Sequence, residues 1–302
     1  MSNSIRIVEV GPRDGLQNIK QAIPIDFRTR LINQLLECGL KEIEIGAFVS
    51  EKWVPQMAGT EELCGNLKNK ADGLSVLVPN RRGLEAFLKS GLTRLAFFSA
   101  VSEEFNRKNT NKSVEESFAL FKELAQEASS KGFFIRFYLS TVFHCPFQGR
   151  ITARDFAKVL EMFRGIPIDD LSLGDTTGMA HPEQVKEFTR VVLNYFPLSK
   201  ISYHFHDTYG MALCNVHSAV EQGVRSFDAS VSGLGGCPYA PGSSGNLATE
   251  DLVHYSHSLG FETGVDLVKL CHASVEINGY LNRQTQSRAQ AAILSRHVNT
   301  HG

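Results

Sequence analysis

Two histidines stand one residue apart in the run Ile201-Ser202-Tyr203-His204-Phe205-His206-Asp207. Apolar Ile201, Tyr203 and Phe205 alternate with polar Ser202, His204 and His206. A strand repeats every two residues, so both imidazoles leave the same face. Two neutral imidazoles side by side make half of a metal site. Taken alone, the run also reads as a half-exposed strand that happens to carry two histidines, so the rest of the chain has to decide.

Further polar groups fall where apparent strands end. Arg13 and Asp14 follow the first one, Glu44 sits between Ile43 and Ile45, and Asp175 closes another. Thr141, His144 and Cys145 lie near the end of a fifth. Asp14, His204 and His206, with the amide oxygen of Asn246 and water, favour an octahedral ion such as Mg²⁺ or Mn²⁺, although zinc accepts the same donors. Asp14 can also be read as a turn aspartate before Gly15. Glu44 can be read as the buried ion-pair partner of Arg13 or Arg136. The run from Gly233 to Asn246 is dense in glycine, which lets a loop move or lets its N–H groups approach a ligand closely. Cys237 lies within it. A thiol there can donate or accept a proton, whereas the plain alternative is an incidental small buried residue.

These residues need a frame that gathers strand ends. Short β-rich runs near 5–10, 42–48, 74–79, 94–98, 133–140, 170–174, 200–206 and 226–231 alternate with amphipathic stretches. Helices are predicted near 26–38, 60–69, 81–89, 113–131, 152–163, 182–195, 211–222 and 248–259. A further helix near 265–280 closes the body. Thr152 and Pro182 mark helix starts. Gly39, Gly91, Gly132 and Gly223 mark helix ends. Eight β-then-α units predict a (β/α)8 barrel with an additional C-terminal helix. A doubly wound sheet is the competing fold, but the turn Gly11-Pro12-Arg13-Asp14-Gly15 is not its phosphate-binding fingerprint. The alternation in strands five, six and eight sends apolar residues to the helices and Arg136, Tyr138, Ser172 and Asp228 to the lumen. Polar lumen residues are costly unless bonded or liganded, which points to a wet, functional upper half.

The bulk properties exclude several classes. The chain has 302 residues, 42% hydrophobic and 21% charged, with a formal net charge of -1. That gives no electrostatic case for nucleic acid or a membrane surface. No apolar run approaches the roughly 18 residues of a membrane span. The amino end runs straight into a strand, without room for a signal or transit peptide, and the carboxyl end is not a peroxisomal address. Six scattered cysteines with no Cys-x-x-Cys predict reduced thiols in the cytoplasm. The expected organisation is one barrel over 1–285, including the cysteine loop 233–246, then a polar, partly ordered tail over 286–302.

The motifs match a known family. Val8-Glu9-Val10-Gly11-Pro12-Arg13-Asp14-Gly15-Leu16-Gln17-Asn18 resembles the opening of the 3-hydroxy-3-methylglutaryl-CoA lyases. Phe48-Val49-Ser50, Lys52-Trp53-Val54-Pro55-Gln56-Met57 and His206-Asp207-Thr208-Tyr209-Gly210 are similar to later segments of that family, and Gly233 to Asp251 resembles its cysteine loop. The Arg-Asp pair with His-x-His is shared more widely, including with isopropylmalate and homocitrate synthases.

The resemblance implies divalent-metal retro-Claisen cleavage of hydroxymethylglutaryl-CoA to acetyl-CoA and acetoacetate, usually in leucine breakdown. A relative acting on another branched 3-hydroxyacyl-CoA is the alternative. Asp14, His204, His206 and Asn246 are then expected around the metal, with Arg13 at the enolate oxygen and Cys237 in proton transfer. Glu44 and Asp175 are expected to support the site, and Gln17 and Lys20 to meet substrate and CoA. A homodimer is implied as well. The chain departs from the family at Ile45-Gly46-Ala47, where hydroxyl residues are frequent.

Overall fold

Eight short strands, rich in β-branched, aromatic and leucine residues, pair in parallel around a closed ring. They are β1 (Arg6–Glu9), β2 (Glu42–Ala47), β3 (Leu74–Leu77), β4 (Arg94–Ala100), β5 (Phe134–Ser140), β6 (Asp170–Asp175), β7 (Ile201–Phe205) and β8 (Ser226–Ala229). The computed structural model describes residues 3–70, 72–236 and 245–298. β1 pairs with both β2 and β8, so the sheet has no edge and the doubly wound alternative is excluded.

The helices are α1 (Ile25–Glu37), α2 (Thr60–Asn66), α3 (Arg81–Phe87), α4 (Glu103–Thr110), α5 (Val114–Ser130), α6 (Ala153–Glu161), α7 (Pro182–Val192), α8 (Ala212–Glu221), α9 (Thr249–Ser258), α10 (Leu267–Tyr280) and α11 (Arg288–Val298). Thr152 caps α6 by accepting from the Asp155 N–H at 3.1 Å, and Pro182 opens α7. The four helix-ending glycines all take positive φ. No helix among the described residues is long and apolar enough to cross a membrane.

Two helices lie outside the predicted elements. α4 has one apolar side chain, Phe105, and is held instead by polar groups. Ser102 caps it at 3.1 Å, and the buried Asn106 amide reaches Ser113 O (2.9 Å) and Ser117 Oγ (2.8 Å). The stretch expected as a partly ordered tail carries α11. Asp251 on α9 supplies its cap, accepting from Ser287 Oγ at 2.7 Å and from the Ala289 N–H at 2.8 Å.

The strand alternation places residues as expected in β5, β6 and β8. Phe137, Leu139, Leu171, Leu173 and Phe227 are buried in the main hydrophobic core. The other face fills the lower lumen with charge. Arg6 binds Glu42 (2.7 Å) and Asp170 (3.1 Å), Arg94 binds Glu42 (3.0 Å), and Arg136 binds Asp170 (2.6 Å) and Asp228.

Candidate metal centre

The turn after β1 is wound so tightly that Arg13, Asp14 and Gly15 all direct their N–H groups at the Val10 carbonyl, at 3.2, 2.7 and 3.2 Å. Gly15 makes this possible. A Cβ there would stand 2.8 Å from both the Leu234 Cβ and the Ser230 Oγ of the loop after β8. The turn therefore presses against that loop and swings Asp14 over the lumen.

At the end of β7, His204 and His206 project beside it, and one ligand atom from each of the three residues lies within 4.8 Å of the others. The Asn246 backbone forms a bridge with His206. Its segment is clamped by Asp207 N to Gly245 O (2.9 Å), Leu247 N to Phe205 O (3.1 Å) and Ser230 N to Leu247 O (2.9 Å). Asn246 Nδ2 donates to Asp14 Oδ2 at 2.9 Å and to Leu234 O at 3.1 Å.

The donor atoms suit a hard or borderline cation. Asp228, which faces His204 across the β8–β7 pairing, lies 3.1 Å from His204 Nδ1 and leaves Nε2 for a ligand. Among the described residues, His206 Nδ1 and Asn246 Oδ1 are buried and lack a hydrogen-bond partner. Such atoms are rare in folded proteins and ask for an occupant. A carboxylate, two imidazoles and an amide oxygen fit a divalent ion.

Electrostatics agree. Burial alone would raise Asp14, but Arg13, His204, His206 and the Asn246 amide hold it well below the usual carboxylate range. Burial and neighbouring His204 push His206 down to about 4, so it is neutral at physiological pH. His204 is shifted up, because its bond to Asp228 and the charges of Asp228 and Asp14 outweigh burial. A proton therefore competes more strongly with an ion for its Nε2 than at an ordinary imidazole.

Arg13 is buried and held on two sides. Its Nε donates to Glu44 Oε2 at 2.5 Å and its Nη1 to Asp14 Oδ1 at 2.7 Å. Burial pulls its pKa down, but Glu44 and Asp14 outweigh that and leave it raised, fixing the positive charge. Both readings of Glu44 thus meet at one place: it is an ion-pair partner, and it stands beside the cluster with Oε1 unpartnered. Burial raises its pKa.

Asp175 is placed differently. Its oxygens accept from the Met179 and Ala180 N–H groups, each at 3.1 Å, so it shapes the loop after β6. Burial pushes it up to about 7. Gln17 is half-buried and Lys20 exposed, just beyond the β1 turn. Gln56 Nε2 anchors that stretch by donating to Ile19 O and, at 2.7 Å, to Gln21 O. Cys237 lies outside the described residues.

Two neighbours were read from the sequence as polar lumen residues but given no role. Asp228 orients His204, and Tyr138 lies between the guanidiniums of Arg13 and Arg136, 5.3 and 5.0 Å from its ring centre, with its hydroxyl unpartnered. Both stand on the polar phase of their strands, which is the signal that could have raised them. At the family departure, β2 is bulged between Glu44 and Gly46. A Cβ on Gly46 would stand 2.8 Å from Thr60 Oγ1, so a serine there needs α2 to shift. Ala47 joins Met57, Leu77, Ala96 and Tyr138 in a small apolar cluster apart from the main core.

Fold and cluster together define a (β/α)8 barrel with a cluster able to hold a divalent ion at the carboxyl ends of its strands. The HMGL-like family pattern matches residues 4–277. The chain is 44% identical over 300 residues to hydroxymethylglutaryl-CoA lyase of Pseudomonas mevalonii, covering 99% of each. Its structure superposes on hydroxymethylglutaryl-CoA lyase from Pseudomonas aeruginosa with a TM-score of 0.94 and 39% identity, over 98% of this chain and 99% of that one. An HMG-CoA lyase from Acinetobacter baumannii, in complex with coenzyme A and 3-methylmalate, gives a TM-score of 0.91 and 36% identity, over 97% and 96% of the two chains. The chain belongs to the hydroxymethylglutaryl-CoA lyase (HMGL-like) family.

Proposed function

We propose that this protein cleaves (S)-3-hydroxy-3-methylglutaryl-CoA to acetyl-CoA and acetoacetate, with Mg²⁺ or Mn²⁺ held by Asp14, His204, His206 and Asn246. The observation that carries the reading is the convergence of these donors, two of them buried and unpartnered, beside a fixed guanidinium. When bound, the ion acidifies the tertiary hydroxyl and holds it in place. The hydroxyl proton passes to a base in the site, the oxygen's electron pair forms the ketone carbonyl of acetoacetate, and the C2–C3 bond breaks with its electron pair moving onto the thioester as an enolate. Arg13 offsets the charge that grows on the thioester oxygen, an effect worth several kcal/mol in a dry site. Glu44 keeps Arg13 aimed. Cys237 is assigned to proton transfer, completed when C2 of the enolate is protonated. Asp175 shapes the loop beside His204, and Gln17 and Lys20 are assigned to substrate and CoA contacts.

The small cluster of Ala47, Met57, Leu77 and Ala96 beside Tyr138 offers an apolar wall for the acyl part. The five cysteines among the described residues are free thiols, in keeping with a cytoplasmic setting. A homodimer is the expected assembly by family likeness, and leucine breakdown the expected pathway.

The test is turnover of hydroxymethylglutaryl-CoA by chelated protein, with and without Mg²⁺ or Mn²⁺. Metal-dependent release of acetoacetate and acetyl-CoA is expected. No release from folded, metal-loaded protein would overturn the substrate and favour another branched 3-hydroxyacyl-CoA.

A further inference from the structure

Ser232, in the turn after β8, is fully buried and sits in the left-handed region with φ 58° and ψ 17°. A side chain with a β-carbon disfavours that conformation, so surrounding contacts must hold it there. They come from every element that follows the metal centre in the chain. The Ser232 N–H donates to both carboxyl oxygens of Glu250 on α9, at 3.0 and 2.9 Å. Its carbonyl accepts from Arg283 Nη2 and the Gln286 N–H, both at 3.3 Å, in the turn between α10 and α11. Its hydroxyl accepts from Asn278 Nδ2 of α10 at 2.7 Å. The hydroxyl proton is directed at Thr285 Oγ1 (2.9 Å) or Gln290 Oε1 of α11 (3.3 Å).

The next residues lead straight to a metal-site side chain. Gly233 has φ 62°, and a Cβ on it would stand 2.9 Å from Gln286 Cβ and 3.5 Å from Asn246 O. The backbone here is thus sandwiched between the α10–α11 turn and Asn246. Leu234 O then accepts from Asn246 Nδ2 at 3.1 Å, and the same nitrogen donates to Asp14 at 2.9 Å. With Nδ2 committed to those two acceptors, the amide presents Oδ1, the unpartnered atom, on its other side.

We propose that Ser232 is a positioning residue for the metal centre: through the path Ser232, Gly233, Leu234 O and Asn246 Nδ2, α10 and α11 set the direction of the Asn246 amide oxygen and so the affinity for a divalent cation. This rests on the reading of Asn246 as a ligand. Partners behind ligating groups tune metal affinity by roughly 10–100-fold, and Ser232 lies one link further back, so an effect of about tenfold is expected.

The test is Mn²⁺ binding to the full chain, followed by titration calorimetry and by the Mn²⁺ electron paramagnetic resonance signal. Asn246→Ala is the reference and is expected to weaken binding most. Asn278→Ala, which leaves Ser232 in place but removes a donor to its hydroxyl, is expected to weaken binding about tenfold. Ser232→Gly is the decisive variant. Glycine accepts the backbone conformation without strain, so a merely structural role predicts parental Mn²⁺ affinity, whereas loss of the hydroxyl bonds predicts the same tenfold weakening as Asn278→Ala. Weakening in Asn246→Ala with parental affinity in both Ser232→Gly and Asn278→Ala would overturn the inference and leave the ligand standing. Parental affinity in Asn246→Ala would remove the ligand and the inference together.

Discussion

At the amino ends of the strands, Arg6, Arg94 and Arg136 meet Glu42, Asp170 and Asp228, three guanidiniums against three carboxylates, each joined to at least one opposite charge. At the carboxyl ends, one turn of barrel higher, Arg13 meets Asp14 and Glu44, so carboxylates outnumber guanidiniums. Four buried polar atoms there, on Glu44, Tyr138, His206 and Asn246, have no partner among the described residues. The same barrel geometry builds both layers. Where charges balance and, save for Arg136 Nε, the buried atoms are bonded, the layer holds strands together. Where donors converge with atoms to spare, the protein has given up bonding that something else must supply.

The largest effect that would break this contrast is at His206. His206→Ala removes an unpartnered upper atom and one metal donor. Turnover is expected to fall roughly a thousandfold, from the several kcal/mol an ion supplies, and Mn²⁺ binding to be lost in calorimetry. The melting temperature should barely move. A large drop in stability would mean that the upper layer is structural after all.

Arg136→Met tests the lower layer. It leaves Asp170 and Asp228 buried with one charge partner fewer, which costs about 3–5 kcal/mol for a buried pair. Urea unfolding is the measurement, and an unchanged midpoint would sink the claim that this layer carries stability. Asp228→Asn sits between the two layers, bonded to Arg136 below and His204 above. It is expected to weaken Mn²⁺ binding roughly 10–100-fold, as loss of a partner behind a ligating imidazole does. Parental affinity would show that His204 needs no such support.

How much of this was legible follows the same division. His204, His206 and Asp14 could be read because a period of two and a short turn place them locally. Asp228 could not be paired with His204 from the sequence, since their contact depends on the β8–β7 register. The eight units were legible through apolar spacing. α4 and α11 were not: α4 carries a single apolar side chain, α11 lies in a stretch read as a polar tail, and the polar bonds of Ser102, Asn106 and Asp251 that anchor them leave no mark in apolar spacing. Glu9 shows the limit within one strand. It stands on the outward phase of β1, yet it is buried, accepting from the Val231 N–H at 2.9 Å and Thr249 Oγ1 at 2.6 Å.

The smallest expected effect sharpens the comparison through pH. Burial pushes Glu9 up to about 7 and Glu250, behind Ser232, up to about 8. In the lower layer Asp228 is shifted down instead, because Arg136 and His204 outweigh burial. The signs are therefore opposite. A raised carboxyl binds more protons folded than unfolded, so between roughly pH 4.5 and 8 stability falls as pH rises. A depressed carboxyl contributes stability above its unfolded pKa of about 4 and loses it as the pH falls through its folded value. Thermal melts should decline from about pH 5 to pH 8, and Glu250→Gln should flatten that decline while leaving the acid limb unchanged. An alkaline limb as steep in Glu250→Gln as in the parent would show that the carboxyls behind the metal centre are as well solvated as ordinary surface groups, and the contrast between the layers would then rest on ion pairing alone.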